Sequence, residues 1–459
     1  MQKNRANGTA GGMLCGTQGM AASYGFPCPE LRSAHATSAQ ATPSVSVRVC
    51  PFSSVWLLLG IVLLAASSRA DTISATDYPS IQAAIDANPG RMIFLPEGEH
   101  PIDKKVRIGE AGGGIYGFGA IVQANPEEVV LEIEHAQAVR IKDITLTRAD
   151  GAQDAEAGGL FCWDARDVVI EGVRVVDCRA RAAAIELREC THCTVRDCLV
   201  TNYKRIAIDD RTGPDEPLYG YAFHCIDGTG ICAVDATGTM LEGNRVVERR
   251  LLPTREMKEK HQLGTLTKGR HPTKPGKLGL TAFLRGYVNN WHQGSAIIVT
   301  GPEHSRHNTV RGNYIANAAQ GIDLHCDHTV VSDNTIDHAM IGLKATHGCR
   351  NLLLTNNLVT HVDLWGILLN PGAASHPAEP TKEEQGARPA NVDAGTIVAN
   401  NIITDFGYGH EHWNWGNGYA IALFEGQLDT NPPLTDILLM GNVVYNTGRD
   451  GVLEDGAPE

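Results

Sequence analysis

A column of asparagines recurs through the C-terminal half of the chain and constrains its fold more than any other feature. The most closely spaced members, Asn313, Asn334 and Asn357, stand 21 and 23 residues apart. Asparagine tolerates the left-handed backbone of a tight turn, and stacked amides can hydrogen-bond from one repeat to the next. The spacing therefore predicts one turn per rung of a solenoid. The column consists of Asn244, Asn313, Asn334, Asn357, Asn401 and Asn442.

Short strands surround each asparagine. A β-branched strand, a polar turn and a second strand recur, as in TVRGNYIANA from residue 309 and LLLTNNLVTHV from residue 352. A further strand precedes each unit, as in GIDLHCD from residue 321, and its apolar residues alternate with variable ones that point outward. The pattern predicts an all-β fold, a right-handed parallel β-helix that is a solenoid of three-strand rungs.

The N-terminal region has a different character. Residues 55–66 form an apolar run of twelve that follows Arg48 and precedes small residues, which is typical of a signal peptide; an uncleaved membrane anchor is the alternative. We expect a leader over 1–70 and a β-helix domain over 71–459, secreted, periplasmic or on the cell surface, without stable membrane insertion after cleavage. An amphipathic helix over Tyr78 to Ala87 is expected to cap the coil. Loop insertions are expected at about 202–229, 248–294, 371–394 and 405–418.

The charge of the chain limits the kinds of molecule that it is expected to bind. The net charge of −13 keeps the chain soluble and argues against nucleic-acid binding, which usually needs a basic face. The insertion at 248–294 contrasts with this, because ten Lys or Arg against three Glu give it a net charge of +7. A basic segment on an acidic body indicates an anionic ligand, although a merely solvated loop is the simpler reading. We expect a monomer.

Nine of the twelve cysteines follow the leader, so at least one lacks an intramolecular partner. The Cys190-x-x-Cys193 pair resembles half of a metal site, but no second pair at zinc spacing follows it. Cysteine is among the most buried residue types, and we expect these side chains to stack in the core.

Outward positions on successive rungs stack about 4.8 Å apart, so a site would be assembled from neighbouring rungs. The titratable cluster on the first-strand face is Asp323, His325 and Lys344. An acid, an imidazole and an amine at this distance shift one another's pKa values, as proton transfer requires, although each residue alone is more often a surface ion pair or a surface histidine. Residues expected to bind substrate are Asn370 and Thr300 beside the cluster, His410, His412, Trp413 and Trp415 as an aromatic platform, and Arg270 and Lys274 from the basic insertion.

The cap, the strand that follows it and the three-sheet coil resemble the pectin-lyase-like superfamily, over nearly all of 71–459. That resemblance implies the fold, and leaves the activity open among lyases, hydrolases, epimerases and non-catalytic surface proteins. Gly321-Ile322-Asp323-Leu324-His325 is similar to the Gly-aromatic-Asp-Pro-His signature of mannuronan C5-epimerases, with leucine in place of proline. Asp209-Asp210 is similar to the paired aspartates of polygalacturonase-like hydrolases.

The leading hypothesis is a carbohydrate-active protein that removes the proton α to the carboxylate of a uronate-containing polysaccharide, as a lyase or C5-epimerase. His325 or Lys344 would be the base, and the other would neutralise the carboxylate together with cations of the basic insertion. Asp323 would orient His325 or bind Ca²⁺, although the sequence does not require a cofactor. Two alternatives remain. One is a non-catalytic binding or surface protein, and the other is a glycoside hydrolase that uses carboxylates such as Asp209, Asp210, Asp323 or Glu425.

Overall fold

The chain winds into a right-handed parallel β-helix in a computed structural model that describes residues 72–209, 222–267, 286–382, 386–409, 413, 418–426 and 430–447. Each rung contributes a strand to each of three sheets, and neighbouring strands in a sheet are parallel and one rung apart. Crossover connections between parallel strands are right-handed, which sets the hand of the coil. The expected fold is confirmed. The expected leader at 1–70 lies outside the described residues.

A short helix covers the N-terminal end of the coil. It spans Ile81–Ala87, after a 3-10 turn at Ala75–Asp77, and begins later than the expected Tyr78 because Ser80 is its N-cap. The Ser80 hydroxyl accepts a hydrogen bond from the backbone N–H of Ala83, as N-cap residues do. Ile81 and Ala84 point into the coil and join its core, so this helix shields apolar surface that the end rung would otherwise expose.

The first sheet carries the face on which the titratable cluster was expected. Its separate strands are Val106–Ile108, Leu131–Glu134, Leu160–Trp163, Ile185–Arg188, Ile231–Val234, Ser295–Thr300 and Tyr419–Leu423. The second sheet is made of Ile73–Ser74, Met92–Leu95, Gly114–Gly117, Arg140–Lys142, Val169–Glu171, Thr194–Arg196, Met240–Glu242, Thr309–Arg311, Val330–Ser332, Leu353–Thr355, Ile397–Ala399 and Leu438–Met440.

The third sheet merges with the first in the C-terminal half of the coil. Its separate strands are Glu99–Ile102, Ala120–Gln123, Thr145–Arg148, Arg174–Val176, Leu199–Thr201, Arg245–Val247, Ile402–Phe406 and Val443–Thr447. Three long strands, Tyr314–Leu324, Thr335–Thr346 and Leu358–Asn370, run through both sheets. The expectation of three separate strands therefore fails here, because these short rungs leave no residues for a loop at that corner.

The asparagine column forms a buried ladder of amides. The Nδ2 of Asn334 donates to Oδ1 of Asn357 at 2.9 Å, and the backbone N–H of Asn334 donates to the same oxygen at 3.1 Å. The Nδ2 of Asn357 donates in turn to Oδ1 of Asn401 at 2.9 Å and to the carbonyl of Val331. The same pattern joins every member of the column from Asn244 to Asn442.

The left-handed turn residue, however, is the one before each asparagine. Gly312, Asp333, Asn356 and Asn400 have φ values of 63°, 59°, 56° and 56°. Asn, Asp and Gly are the residues that accept this conformation at least cost. The prediction that the column asparagines themselves occupy left-handed backbone is wrong, because a left-handed residue just before the asparagine turns its side chain into the coil, where it bonds from rung to rung.

A continuous apolar core fills the coil, and the cysteines lie within it. Ile, Leu and Val from all three sheets are fully buried in one cluster. None of the nine cysteines forms a disulfide, and all except Cys232 are buried. The Sγ atoms of Cys190 and Cys162 lie 3.6 Å apart on adjacent rungs, as stacked core side chains would.

The expected insertions contain secondary structure of their own. An antiparallel hairpin at 202–229 pairs Arg205–Asp209 with Phe223–Asp227. A helix spans Arg255–Lys260, and a second hairpin pairs Glu379–Lys382 with Gly386–Arg388. Two short strands, Asp154–Ala155 and Arg179–Ala180, pair at the side of the coil. Among the described residues, no helix is long and apolar enough to cross a membrane.

The amide ladder gives a stability prediction. Replacing Asn357 with alanine should lower the free energy of unfolding by about 2–4 kcal/mol, because buried polar groups of Asn334 and Asn401 lose their partners. Urea unfolding of the parent and the variant measures the difference.

The matched control is Asn356→Gly, at the exposed left-handed position next to it. Glycine accepts this φ, so the control should change stability by less than about 1 kcal/mol. Equal losses of unfolding free energy in the two variants would mean that the amide hydrogen bonds of Asn357 add no stability beyond that of the left-handed turn before it.

Candidate functional site

The predicted cluster comes together on the outer face of the first sheet, where outward positions of successive rungs are stacked in two columns. Asp323 pairs in register with Ile298 on one side and with Lys344 on the other. His325 lies two residues beyond Asp323 on the same strand face, and the neighbouring rung places Thr346 opposite Asn370. Because adjacent parallel strands are about 4.8 Å apart, these side chains are in contact range.

The cluster is buried, although its side chains point away from the coil. Asp323 and Lys344 are each 3% exposed and His325 is 5% exposed. A second apolar cluster lies outside the coil, where Leu251 and Trp291 of the basic insertion pack near Leu368 of the first sheet. The expected exposed site is therefore an interior one, because the insertions fold back over this sheet.

Asp323 is the centre of the cluster. Its Oδ2 accepts hydrogen bonds from Nζ of Lys344 at 3.3 Å and from Oγ of Ser295 at 3.4 Å. Its Oδ1 lies 3.1 Å from Nε2 of His325, without hydrogen-bond alignment. Burial by itself would raise the pKa of Asp323, but the positive charge of Lys344, with the imidazole of His325 beside it, outweighs burial and holds the pKa well below its usual range. Asp323 is thus an ionised carboxylate.

A second histidine, which the sequence pattern did not single out, belongs to the same site. His347 follows the long strand Thr335–Thr346 in the left-handed conformation, with φ of 66°. Its ring meets the ring of His325 edge-on, with centroids 4.6 Å apart. Burial lowers the pKa of His347 well below 6.5, and the neighbouring His325 ring and Lys344 ammonium add to that effect. The only sequence signal was its place three residues after Lys344.

The insertion at 371–394 holds His347 in place. Asn391 donates from Nδ2 to the carbonyl of His347 at 2.8 Å. Asp393 accepts the backbone N–H groups of Gly348 and Cys349 on one oxygen and the hydroxyl of Ser375 on the other. Burial raises the pKa of Asp393 to about 6 against these hydrogen bonds. The side chains of this insertion therefore fix the turn that carries the second imidazole.

Four polar atoms of the cluster have no hydrogen-bond partner among the residues that the structure describes. They are Oδ1 of Asp323, Nε2 of His325, Oγ1 of Thr346 and Nε2 of His347, and all are buried. Most buried polar atoms in native proteins are hydrogen-bonded, and clustered exceptions mark places that bind water, ions or substrate. The arrangement is suited to a polar ligand.

The structure places the other residues predicted to bind substrate in different surroundings. Oγ1 of Thr300 lies 2.9 Å from Nδ1 of His325 and orients that ring, and Asn370 is buried beside Thr346. Trp413 is fully buried, stacked on Trp291 with centroids 4.5 Å apart, and so offers no ring face to a sugar in this structure. His410, His412, Trp415, Arg270 and Lys274 lie outside the described residues.

The described carboxylates of the hydrolase alternative, Asp209 and Glu425, make no direct contact with Asp323. Asp209 is buried at the end of a hairpin strand, and Glu425 is exposed after the last strand of the first sheet. No hydrogen bond or ion pair links either residue to Asp323 in the described parts of the chain. Asp210 lies outside the described residues.

A Ca²⁺ ion at Asp323 would have to share the carboxylate with the ammonium of Lys344. Among the described residues, no three His, Cys, Asp or Glu side chains are grouped as a metal ion would require. The ammonium of Lys344 lies 3.3 Å from Oδ2 of Asp323, and its charge opposes a divalent cation at the same oxygen.

No family model matches the chain, and no curated protein matches it in sequence. Among solved structures, the chain is similar to the periplasmic alginate epimerase AlgG, with 12% identity, TM-score 0.39, and 82% of this chain and 83% of that chain covered. The A-module of the Azotobacter vinelandii mannuronan C-5 epimerase AlgE4 has 14% identity, TM-score 0.41 and coverage of 82% and 98%. PfbA, a surface adhesin of Streptococcus pneumoniae, has 10% identity, TM-score 0.41 and coverage of 82% and 92%. These likenesses concern the fold and say nothing about chemistry.

Burial of the ion pair gives a second stability prediction. Asp323→Asn should lower the free energy of unfolding at pH 7 by about 3–5 kcal/mol, because the Lys344 ammonium keeps its charge and loses its counter-charge. The pKa of Asp323 is lower in the folded chain than in the unfolded chain, so the carboxylate stabilises the fold above about pH 4 and less as the pH falls. The difference between parent and variant should therefore shrink in acid, which urea unfolding at pH 7 and pH 3 measures.

Asp333→Asn is the control, since Asp333 is an exposed turn residue whose φ of 59° asparagine also accepts. It should change stability by less than about 0.5 kcal/mol at either pH. An Asp323→Asn variant as stable as the parent at pH 7 would show that the pair is not coupled in the folded protein.

Proposed function

We propose that the chain acts on an anionic, uronate-containing polysaccharide and removes the proton α to the sugar carboxylate. One observation carries the proposal, which is the buried contact of Asp323, His325 and Lys344 with unpartnered polar atoms around it. Titratable groups held together in a desolvated site are typical of proton-transfer chemistry.

His325 is the base in this proposal. Its Nδ1 lies 2.9 Å from the hydroxyl of Thr300, and donation of Nδ1–H to that oxygen leaves the lone pair on Nε2. Nε2 has no hydrogen-bond partner among the described residues, so it is available to a substrate proton. Asp323, 3.1 Å away, would stabilise the imidazolium that forms.

Lys344 supplies positive charge at the same place. A proton next to a carboxylate becomes acidic enough to remove only when the carboxylate charge is neutralised, because its loss places a second negative charge on that group. The ammonium of Lys344 is buried and ion-paired with Asp323, which favours a charge-stabilising role over that of a base. After proton removal, loss of the group at C4 gives a lyase product and reprotonation gives an epimer.

Burial imposes a condition on this function. A polymer can reach His325 only when the segments that cover the first sheet separate from it, because the side chain is almost inaccessible. A water-excluding cover would strengthen the electrostatic interactions beneath it. We place the reaction outside the cytoplasm, on an extracellular, periplasmic or cell-surface polysaccharide, with the chain acting as a monomer and without nucleic acid.

An activity assay tests the proposal. The full chain is incubated with alginate, pectate, a sulfated glycan and a neutral glucan, and unsaturated uronate absorbance, reducing ends and sugar epimer ratios are recorded. Absorbance or epimer ratio should change with one of the uronate polymers only. His325→Ala should lower kcat by about 10²–10⁴, the range for loss of a general base.

His307→Ala is the matched control, since His307 is exposed at a turn on another side of the coil. It should retain full activity. New reducing ends without unsaturation would support the hydrolase alternative instead. A parent chain that changes none of the substrates would favour a non-catalytic binding protein.

A further inference from the structure

Two neighbouring side chains at the end of a long strand present unpartnered donors. Oγ1 of Thr346 and Nε2 of His347 are buried, and neither has a hydrogen-bond partner among the described residues. Both side chains lie against Gly372, where an added Cβ would come within 2.5 Å of Oγ1 of Thr346 and 2.1 Å of Nδ1 of His347. Glycine at this position therefore leaves the space that the two side chains occupy.

The hydrogen-bond network assigns the proton on His347. Its Nδ1 accepts the backbone N–H of Ala374 at 3.3 Å, so Nδ1 carries the lone pair. In the uncharged ring the proton then sits on Nε2, which makes that atom a donor. The site keeps the ring uncharged, because burial disfavours the imidazolium and the positive groups nearby add to this. His347 is therefore unsuited to be the base of the reaction.

We infer that Thr346 and His347 form the binding site for the carboxylate of a uronate, which accepts hydrogen bonds from Oγ1 and Nε2 beside the ammonium of Lys344. This assignment rests on the proposed function and adds the place where the acidic sugar is recognised. A carboxylate has two acceptor oxygens, which matches two donors from consecutive residues.

The two donors are not bonded to any carboxylate in the described parts of the protein. The ammonium of Lys344 is ion-paired with Asp323, and neither Oγ1 of Thr346 nor Nε2 of His347 has a hydrogen-bond partner among the described residues. Asp393 lies behind the turn, with its two oxygens bonded to Gly348, Cys349 and Ser375, and so does not compete for the two donors. A neutral sugar hydroxyl would satisfy the donors without gaining from the Lys344 charge.

Isothermal titration on the full chain tests the inference without reference to turnover. The probes are D-glucuronate and D-galacturonate, with methyl glucoside as the uncharged probe and glucose 6-sulfate as the other anion. We expect binding of a uronate and little binding of methyl glucoside. No proton should be taken up at His347 on binding, measured as a heat that does not depend on the buffer, because Nε2 already carries the proton that it donates and Nδ1 accepts the backbone N–H of Ala374.

Paired variants at Thr346 separate recognition from folding. Thr346→Val keeps the shape and removes the hydroxyl, and it should weaken uronate binding by about tenfold or more, as expected for one hydrogen bond to a charged group. Thr346→Ser keeps the hydroxyl and should bind like the parent. His347→Ala removes the second donor and should also weaken uronate binding by about tenfold or more, and thermal melts of each variant monitor folding.

Each outcome bears on the inference. Uronate binding by Thr346→Val at parental affinity, or stronger binding of glucose 6-sulfate than of either uronate, would overturn it. Failure of the parent to bind either uronate would also overturn it. Uronate binding that depends on Thr346, in a parent without turnover, would support the carboxylate site while removing the proposed reaction. Normal kcat and KM in the Thr346→Val variant would contradict the assignment of the carboxylate site but would agree with the proposed reaction.

Discussion

The hydrogen bonds of the buried asparagine ladder set the register on which the C-terminal half of the coil depends. Each rung closes through a left-handed residue followed by an asparagine whose amide bonds to the next rung. If the register of a rung shifted by one residue, its asparagine would lose its place in the ladder, and the inward and outward side chains of every strand in that rung would exchange faces. Because the ladder fixes this register, it also fixes which outward side chains lie beside one another.

The candidate site is a consequence of that register. Asp323 and Lys344 are 21 residues apart in sequence, the same separation as Asn313 and Asn334, so they occupy equivalent positions on adjacent rungs. The insertions then convert an outward surface into an interior. In that setting an ionised carboxylate persists because Lys344 compensates for its lost hydration. Neither the repeat nor the insertions alone would produce a desolvated acid, amine and imidazole.

The repeat made much of this predictable from the sequence. The outward columns, including Asp323 beside Lys344, were predictable from strand alternation. Side chains of a strand point alternately inward and outward, so the rung length alone determines which outward residues are neighbours. The cover over the sheet was not predictable, since Trp291 and Trp413 stack through contacts between two distant insertions. His347 was missed because a left-handed residue after a strand falls outside the alternation, and only the fold directs its ring to His325.

The central claim is that the stacked rungs build a site that removes the hydrogen at C5 of a uronate. Release of tritium to water from a polymer labelled at C5 measures that step, and it occurs in elimination and epimerisation but not in hydrolysis. The parent chain is expected to release tritium, and His325→Ala to release almost none. Cleavage of the polymer without release of tritium, or equal release by the two chains, would contradict the claim.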